Sequence, residues 1–242
     1  MNKQFSSKKK LSIIIPVFNE ESTIKAIIDK IKSLEFPKNL IREIIVINDG
    51  STDSTSKILK EIKQIKLISH KKNSGKGSAV KTGFKYAKGD IIAIQDADLE
   101  YDPKDLLRLV NFVFRNRTSV CFGNRLKNYP LRLWGKNKTI LPSHWVANKL
   151  LSYFTSLLYQ TKISDMETCY KVFKREVLDG VILRSERFDF EAEITAKILK
   201  KGYKIYEIPI KVSPRTRKQG KKIRFKDGLF AIRALIKYRF TD

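Results

Sequence analysis

Gly89-Asp90-Ile91-Ile92-Ala93-Ile94-Gln95-Asp96-Ala97-Asp98-Leu99-Glu100 decides how this chain is read. An apolar run of this length, bounded by a glycine and an acidic turn, predicts a short buried strand over Asp90 to Gln95. Asp96 and Asp98 then stand at the carboxyl end of that strand, with Glu100 in reach. In open α/β sheets ligands bind in the crevice at those ends. Converging carboxylates are the hard oxygen donors that Mg²⁺ or Mn²⁺ prefers, which makes a metal-bound phosphate the expected occupant. An isolated Asp-x-Asp also reads as a solvated loop capping the helix that opens near Pro103, so the rest of the chain has to decide.

Working outward, strands and helices alternate. Leu11 to Phe18 reads as a buried strand, and Glu20 to Leu34 as a helix with Ile24, Ile27, Ile28, Ile31 and Leu34 at helical spacing. Ile44 to Ile47 is the next strand, and Asn48-Asp49-Gly50-Ser51 turns into a helix opening at Thr52-Asp53-Ser54, residues suited to capping. Strands at Ile65 to Ser69 and Ser119 to Phe122, with helices at Gly77 to Ala87 and Pro103 to Arg115, complete a pattern that implies a mostly parallel, doubly wound α/β sheet. After Gly123 the rhythm changes to a basic loop, an aromatic-rich helix near His144 to Tyr159, a helix near Phe190 to Lys200, a strand over Lys204 to Val212 and a basic terminal helix. The expected organisation is a basic tail at 1–10 followed by a single domain with two halves, 11–125 and 126–242.

Composition narrows the classes. With 242 residues and 42% hydrophobic content the chain can bury a full core. No apolar stretch approaches the roughly 20 residues that span a bilayer, and Lys8-Lys9-Lys10 is followed only by a strand-length run, so neither a signal peptide nor an anchor is read. Two cysteines, Cys121 and Cys169, without zinc-site spacing, point to a reducing compartment, best the cytosol.

Charge carries more. Fifty Lys and Arg oppose 25 Asp and Glu, a formal +25. No acid occurs between Asp105 and Asp165, a stretch that holds Arg108, Arg115, Arg117, Arg125, Lys127, Arg132, Lys136, Lys138, Lys149 and Lys162. From Lys200 onward 14 basic residues face only Glu207, Asp227 and Asp242. Such surfaces attract nucleic acid, anionic lipid or phosphorylated substrates. A lysine-rich composition inherited from an AT-rich genome is the alternative, but it would not remove the acids.

Two phosphate motifs are excluded. Ser74-Gly75-Lys76-Gly77-Ser78 lacks the glycine a P-loop needs six positions before its lysine, where His70 stands, and no G-x-G-x-x-G follows the first strand.

Pro16-Val17-Phe18-Asn19-Glu20, Asn48-Asp49-Gly50-Ser51-Thr52-Asp53, Gly75-Lys76-Gly77, Asp96-Ala97-Asp98 and Asp165-Met166-Glu167-Thr168-Cys169-Tyr170-Lys171 occur in that order. Together they resemble a family 2 glycosyltransferase, closest to the dolichyl- or polyprenyl-phosphate mannosyl- and glucosyltransferases, over roughly Leu11 to Tyr238. The resemblance implies a Rossmann-like GT-A fold, a nucleotide-sugar donor, Mg²⁺ or Mn²⁺, and inversion at the anomeric carbon. It places Pro16, Phe18, Glu20, Ile47, Asp49, Lys76, Asp96 and Ala97 at the nucleotide sugar, with Asp49 at the base-recognising acid. It makes Asp96, Asp98 and Glu100 the metal ligands, and sets Arg125, Arg215, Lys221 and Lys222 near the acceptor phosphate. Asp98, Asp165, Arg125 and Arg215 become the catalytic set. Asn48 departs from the usual first aspartate of its turn, and the loop after Arg215 has an unusual Arg-to-Gly spacing; both bear on donor identity.

The chemistry is coherent without the family. A leaving nucleoside diphosphate develops negative charge that a carboxylate-bound cation stabilises. A lipid phosphate is already anionic at neutral pH, so cationic positioning by Arg125 and Arg215 matters more than a strong base. Asp165 either orients the donor sugar or assists as a base; the plainer reading is capping or pairing with a nearby Lys. His144 to Tyr159 reads as an interfacial or a packed helix. Phe225 to Phe240 is the better interfacial candidate, with Phe230, Ile232, Leu235 and Ile236 set against Lys226, Arg233, Lys237 and Arg239.

The expected activity is therefore transfer of a hexose from a GDP- or UDP-linked donor to a polyprenyl phosphate, dolichyl or undecaprenyl, at the cytoplasmic membrane face, by a peripheral protein bound to anionic lipid. Its expected setting is cell-envelope biosynthesis. Transfer to a cell-surface glycan or another non-lipid acceptor is the first alternative. A nucleic-acid-binding protein is the second, supported by charge alone in the absence of an RNP-like aromatic motif, so nucleic acid is not the expected partner. A homo-oligomer stays open.

Overall fold

The computed structural model describes residues 8–134, 139–140, 142–215 and 225–241. Its centre is a seven-stranded sheet in the order β3-β2-β1-β4-β6-β5-β7, formed by β1 (Lys9–Val17), β2 (Leu40–Asn48), β3 (Lys66–Ser69), β4 (Ile91–Ile94), β5 (Val120–Asn124), β6 (Lys171–Lys174) and β7 (Tyr206–Pro209). The pairs β1/β2, β1/β4, β2/β3 and β5/β7 are parallel, while β6 is antiparallel to both β4 and β5. Six strands therefore share one direction, and β6 alone is reversed in their midst.

The apolar runs decide this arrangement because both faces of the sheet are covered. Along β1, Leu11, Ile13, Ile15 and Val17 face one side, where they pack with Ile24, Ile27, Ile28 and Ile31 of α1 (Ile24–Lys32) and with Leu106, Leu109, Val110 and Val113 of α4 (Pro103–Phe114). Ile14 faces the other side with Ile45, Ile47 and Ile92. It meets Ala79 and Val80 of α3 (Lys76–Tyr86) and a cluster that includes Phe190, Ile194 and Ile198 of α6 (Phe190–Lys200). The period-two alternation of a strand divides one sequence between two cores. At the start of the short α2 (Thr55–Glu61) the N-cap residue Ser54 makes no side-chain bond, and Asp53 Oδ1 accepts from the Thr55 N–H at 3.0 Å.

Two helices close the second layer. In α5 (Pro142–Tyr159) Leu151, Ser152 and Thr155 are buried, while Val146, Leu150, Tyr153 and Leu157 are exposed. In α7 (Phe225–Phe240) Ala231, Ala234, Leu235 and Tyr238 turn inward, leaving Leu229, Phe230, Ile232, Ile236 and Phe240 outside. The Tyr159 hydroxyl donates to the Leu235 carbonyl at 2.8 Å, and Arg239 Nε to that of Leu158 at 3.1 Å. Leu235, expected on the interfacial face, is thus a core residue, because the helix needs an inward stripe to hold it against α5 and α6. Among the described residues no helix is long and apolar enough to cross a membrane.

The sequence pattern located every parallel strand to within a few residues and missed β6. The expected strand over Lys204 to Val212 shortens to Tyr206–Pro209, followed by a single antiparallel bridge between Val212 and Tyr101.

Candidate active site

The carboxyl ends of β1, β2, β4 and β5 open into one cleft of about 540 Å³. Its lining comes from Pro16 near the end of β1 and Phe18 and Glu20 beyond it, Asp49 after β2, Asp96, Ala97, Asp98 and Glu100 after β4, and Arg125 after β5. Lys76 enters from the start of α3, and Glu167 and Cys169 from the loop ahead of β6.

The first two loops are latched to one another. Asn19 accepts from the Thr52 N–H through Oδ1 at 2.8 Å, and its own N–H donates to Ser51 Oγ at 3.0 Å. Asn48 Oδ1 accepts from the Ser51 N–H at 3.1 Å, so an amide serves the turn where an aspartate was expected. Asp49 is almost wholly buried. Its oxygens accept from the backbone N–H groups of Ser74 at 3.0 Å and Gly75 at 2.8 Å, and His70 Nδ1 lies at 2.6 Å. Two glycines permit this close approach: a Cβ on Gly50, φ +69°, would lie 2.5 Å from the Lys72 carbonyl carbon, and one on Gly75, φ +96°, 2.4 Å from the Glu186 oxygen.

The acidic turn after β4 is met by two cations. Lys76 Nζ lies 2.8 Å from Asp96 and 3.1 Å from Glu191. Burial alone would strip the lysine of its charge, yet these carboxylates hold its pKa above the ordinary lysine value. Arg215 donates through Nη1 to Glu20 at 3.0 Å, and through Nη2 to Glu20 at 2.9 Å and Asp98 at 2.7 Å, while its backbone N–H reaches Glu100 at 3.1 Å. The Ser213 N–H, donating to the Glu100 carbonyl at 2.8 Å, brings this segment across the cleft. Burial, with Asp96 and Glu100 beside it, lifts the Asp98 carboxyl to about 6 even against the pull of Arg215.

Among the described residues no three His, Cys, Asp or Glu side chains converge as a metal cage, since Asp96 faces Lys76 and Asp98 faces Arg215. The expected metal triad is therefore present as a turn and not as a closed coordination shell. Its donors nonetheless suit a hard cation: they are carboxylate oxygens, crowded enough to raise Asp98.

Arg125 and Asp165 form one unit. Arg125 donates from Nε at 2.9 Å and from its backbone N–H at 2.7 Å to Asp165 Oδ2, and from Nη2 at 2.6 Å to Oδ1. The Ser164 and Asp165 N–H groups donate to Glu207 at 3.0 and 2.9 Å. Asp165 is fully buried behind Arg125 and does not line the cleft. The geometry displays pairing, but with Arg125 where a lysine was expected. Ile47 is likewise a correction: its side chain packs with Ile14, Ile45 and Val80 in the core, because its place in β2 points it away from the crevice. Lys221 and Lys222 lie outside the described residues.

A family model described as glycosyl transferase family 2 matches residues 12–182. The chain belongs to that family. Among its relatives, the UDP-N-acetylglucosamine–dolichyl-phosphate N-acetylglucosaminyltransferase of Methanococcus voltae is 29% identical over 224 residues, covering 84% of this chain and 85% of that protein. The low-salt glycan biosynthesis hexosyltransferase Agl6 of Haloferax volcanii is 31% identical over 206 residues, covering 85% of this chain and 48% of the relative. Among solved structures, glucosyl-3-phosphoglycerate synthase of Mycobacterium tuberculosis, in complex with Mn²⁺, UDP and glucosyl-3-phosphoglycerate, superposes with a TM-score of 0.69 at 18% identity, covering 96% of this chain and 80% of that one. The fold of this family 2 glycosyltransferase is accordingly GT-A-like.

Sequence reasoning missed Glu191 and Glu167 as cleft residues of this glycosyltransferase. Glu191 lies in the first turn of α6, where it joins Lys76 to the fully buried Lys171, at 3.1 and 2.6 Å. A lysine and a glutamate 20 positions apart carry no signal of pairing until the fold is known. Glu167 sat inside a quoted motif but was overshadowed by Asp165.

Proposed function

We propose that this glycosyltransferase moves a hexose from a nucleoside-diphosphate donor to a polyprenyl phosphate, with inversion, while bound peripherally to an anionic membrane face, and that it serves cell-envelope glycan assembly. The observation that carries the reading is the position of Arg215. It stands against the acidic turn of the donor side, on the segment that leads into the partly apolar, basic helix α7. The Methanococcus voltae relative, named for a dolichyl-phosphate acceptor, supports the lipid, and the Mn²⁺ and UDP of the mycobacterial structure support a divalent cation and a nucleotide.

In this reading residues 11–125 hold the donor and residues 126–242 the acceptor. Pro16, Phe18 and Asp49 border the nucleotide, and Lys76 places a fixed positive charge beside the diphosphate. Asp98, with Asp96 and Glu100, would hold Mg²⁺ or Mn²⁺, which when bound offsets the charge that develops on the leaving diphosphate. Arg125, locked by Asp165, presents a rigid guanidinium to the incoming phosphate, so orientation replaces base catalysis. Arg215 exchanges carboxylate partners for phosphate oxygens, as a planar five-donor group can.

The deciding experiment offers a panel of UDP- and GDP-sugars together with polyprenyl phosphate, polyprenol, or 3-phosphoglycerate, in Mg²⁺ or Mn²⁺. Product on polyprenyl phosphate alone is the expected result. Product on 3-phosphoglycerate, or equal use of dephosphorylated polyprenol, overturns the acceptor assignment.

A further inference from the structure

The loop between α5 and β6 is held from all sides. The Met166 N–H donates to Ser152 Oγ at 3.0 Å, Lys171 Nζ donates to the carbonyls of Met166 and Thr168, and Glu207 takes the N–H groups of Ser164 and Asp165. This strapping presents Glu167 to the cleft at a fixed place.

Three cations near it are already ion-paired: Lys76 is shared by Asp96 and Glu191, Lys171 is paired with Glu191, and Arg125 with Asp165. Of the acids Asp96, Asp165, Glu167 and Glu191, Glu167 is the one with no ion pair among the described residues. Its Oε1 is buried with no hydrogen-bond partner. A buried polar atom left unmade costs stability, so a ligand that completes it gains by binding there.

We propose that the Glu167 carboxyl hydrogen-bonds a hydroxyl of the transferred sugar and so helps set which hexose the cleft accepts. The inference rests on the glycosyltransferase reading of the cleft. The ligand chemistry follows from exclusion within the site. A phosphate would be repelled by Glu167 and by the neighbouring Glu191. A cation would find no second unpaired carboxylate among the described neighbours of Glu167 to complete its shell. A neutral hydroxyl can give or take a hydrogen bond. Burial, with Glu191 beside it and Lys171 and Arg125 opposing, lifts the carboxyl to about 7, so near neutrality it can donate as well as accept. A site built to bond a particular hydroxyl rejects the sugar that lacks it, because its own polar atom is then left unpaired.

The test compares wild type with Glu167→Ala and the near-isosteric Glu167→Gln by calorimetry. Its probes are UDP, GDP, their hexose conjugates, and monodeoxy-hexose versions of the conjugate that wild type binds best, all with Mg²⁺. The expected result is unchanged affinity of Glu167→Ala for the free diphosphate and affinity about tenfold weaker for the sugar conjugate. One monodeoxy sugar should be penalised about tenfold by wild type and not by Glu167→Ala. Glu167→Gln should fold as wild type does and reorder the preference among hexoses. Equal weakening of diphosphate and conjugate by Glu167→Ala, or an unaltered deoxy-sugar penalty in both variants, overturns the proposal and leaves the donor site standing. Failure of wild type to bind any nucleotide sugar overturns the donor site and this inference together.

Discussion

The guanidinium of Arg215 grips the carboxylate of Glu20 through both terminal nitrogens, at 3.0 and 2.9 Å, across 195 positions of chain. The contact joins the residues after the first strand to the last described segment before α7. Because Asp98 takes the same Nη2 at 2.7 Å, Arg215 is the counter-charge of Asp98 as Lys76 is of Asp96.

Arg215→Ala should lower transfer to polyprenyl phosphate by about 10²-fold, the scale of a lost charged stabiliser, with nucleoside diphosphate affinity changed far less. Arg215→Lys should recover only part of the rate, since lysine restores the charge but not the planar fork. Steady-state kinetics with varied polyprenyl phosphate checks this, and an unaltered dependence on the acceptor would refute it.

Asp98→Ala should reduce turnover about 10²-fold or more while the fold survives. EDTA should abolish activity, and Mg²⁺ or Mn²⁺ should restore it. Full turnover in chelator would remove the metal from the reaction.

Asp49→Ala should weaken nucleoside diphosphate binding by about 1 to 3 kcal/mol. Part of that loss is indirect, because Asp49 also holds the Ser74 and Gly75 N–H groups and with them the approach to Lys76. Calorimetry with UDP and GDP measures it; equal affinities in wild type and variant would move base recognition elsewhere.

Glu167 makes stability depend on pH. Its carboxyl stands raised from an ordinary 4.5 to about 7, so the folded chain keeps a proton that the unfolded chain releases. The sign is therefore unfavourable with rising pH: stability falls between about 4.5 and 7, and the loss is complete above that window. Glu167→Gln lacks this loss. Urea denaturation should show it gaining on wild type by about 1 to 3 kcal/mol between pH 4.5 and pH 8. Parallel pH profiles for the two proteins would count against an unpaired acid at this place.

Replacing Phe230 and Ile236, both exposed on α7, by glutamate should sharply reduce sedimentation with anionic vesicles, and binding of the wild type should fall as salt rises. Equal sedimentation of the double variant would place the membrane contact on another surface.

How far the sequence could be read depended on whether a signal was local. The runs Leu11 to Val17 and Ile91 to Ile94 are apolar because their strands are covered on both faces, so composition alone revealed them. Asp96 and Asp98 were legible as cleft residues because strand ends are where such sheets bind ligands, and Arg125 through the resemblance of its motif. Strand β6 was not, for Lys171-Val172-Phe173-Lys174 carries lysine at both ends. The first of these is buried only because Glu191 and two carbonyls meet it from distant parts of the chain. Ile47 and Leu235 show the same limit from the other side. Each was recognised as apolar and placed, but which way it points is fixed by strand register and helix docking.

The reversal of β6 bears on how the cleft can be altered. A parallel strand delivers to the cleft the residues that follow it, whereas a reversed strand delivers those that precede it. The loop carrying Glu167 therefore reaches the cleft against the direction of the β1, β2 and β4 turns. It is still tied to its neighbours: the Tyr170 hydroxyl donates to Gln95 at 2.8 Å, Lys76 Nζ lies 3.1 Å from Cys169 Sγ, and Asp165 holds Arg125. A change at Glu167 alone leaves these ties in place, whereas a graft of residues 163–170 between relatives would have to carry Gln95, Lys76 and Arg125 with it.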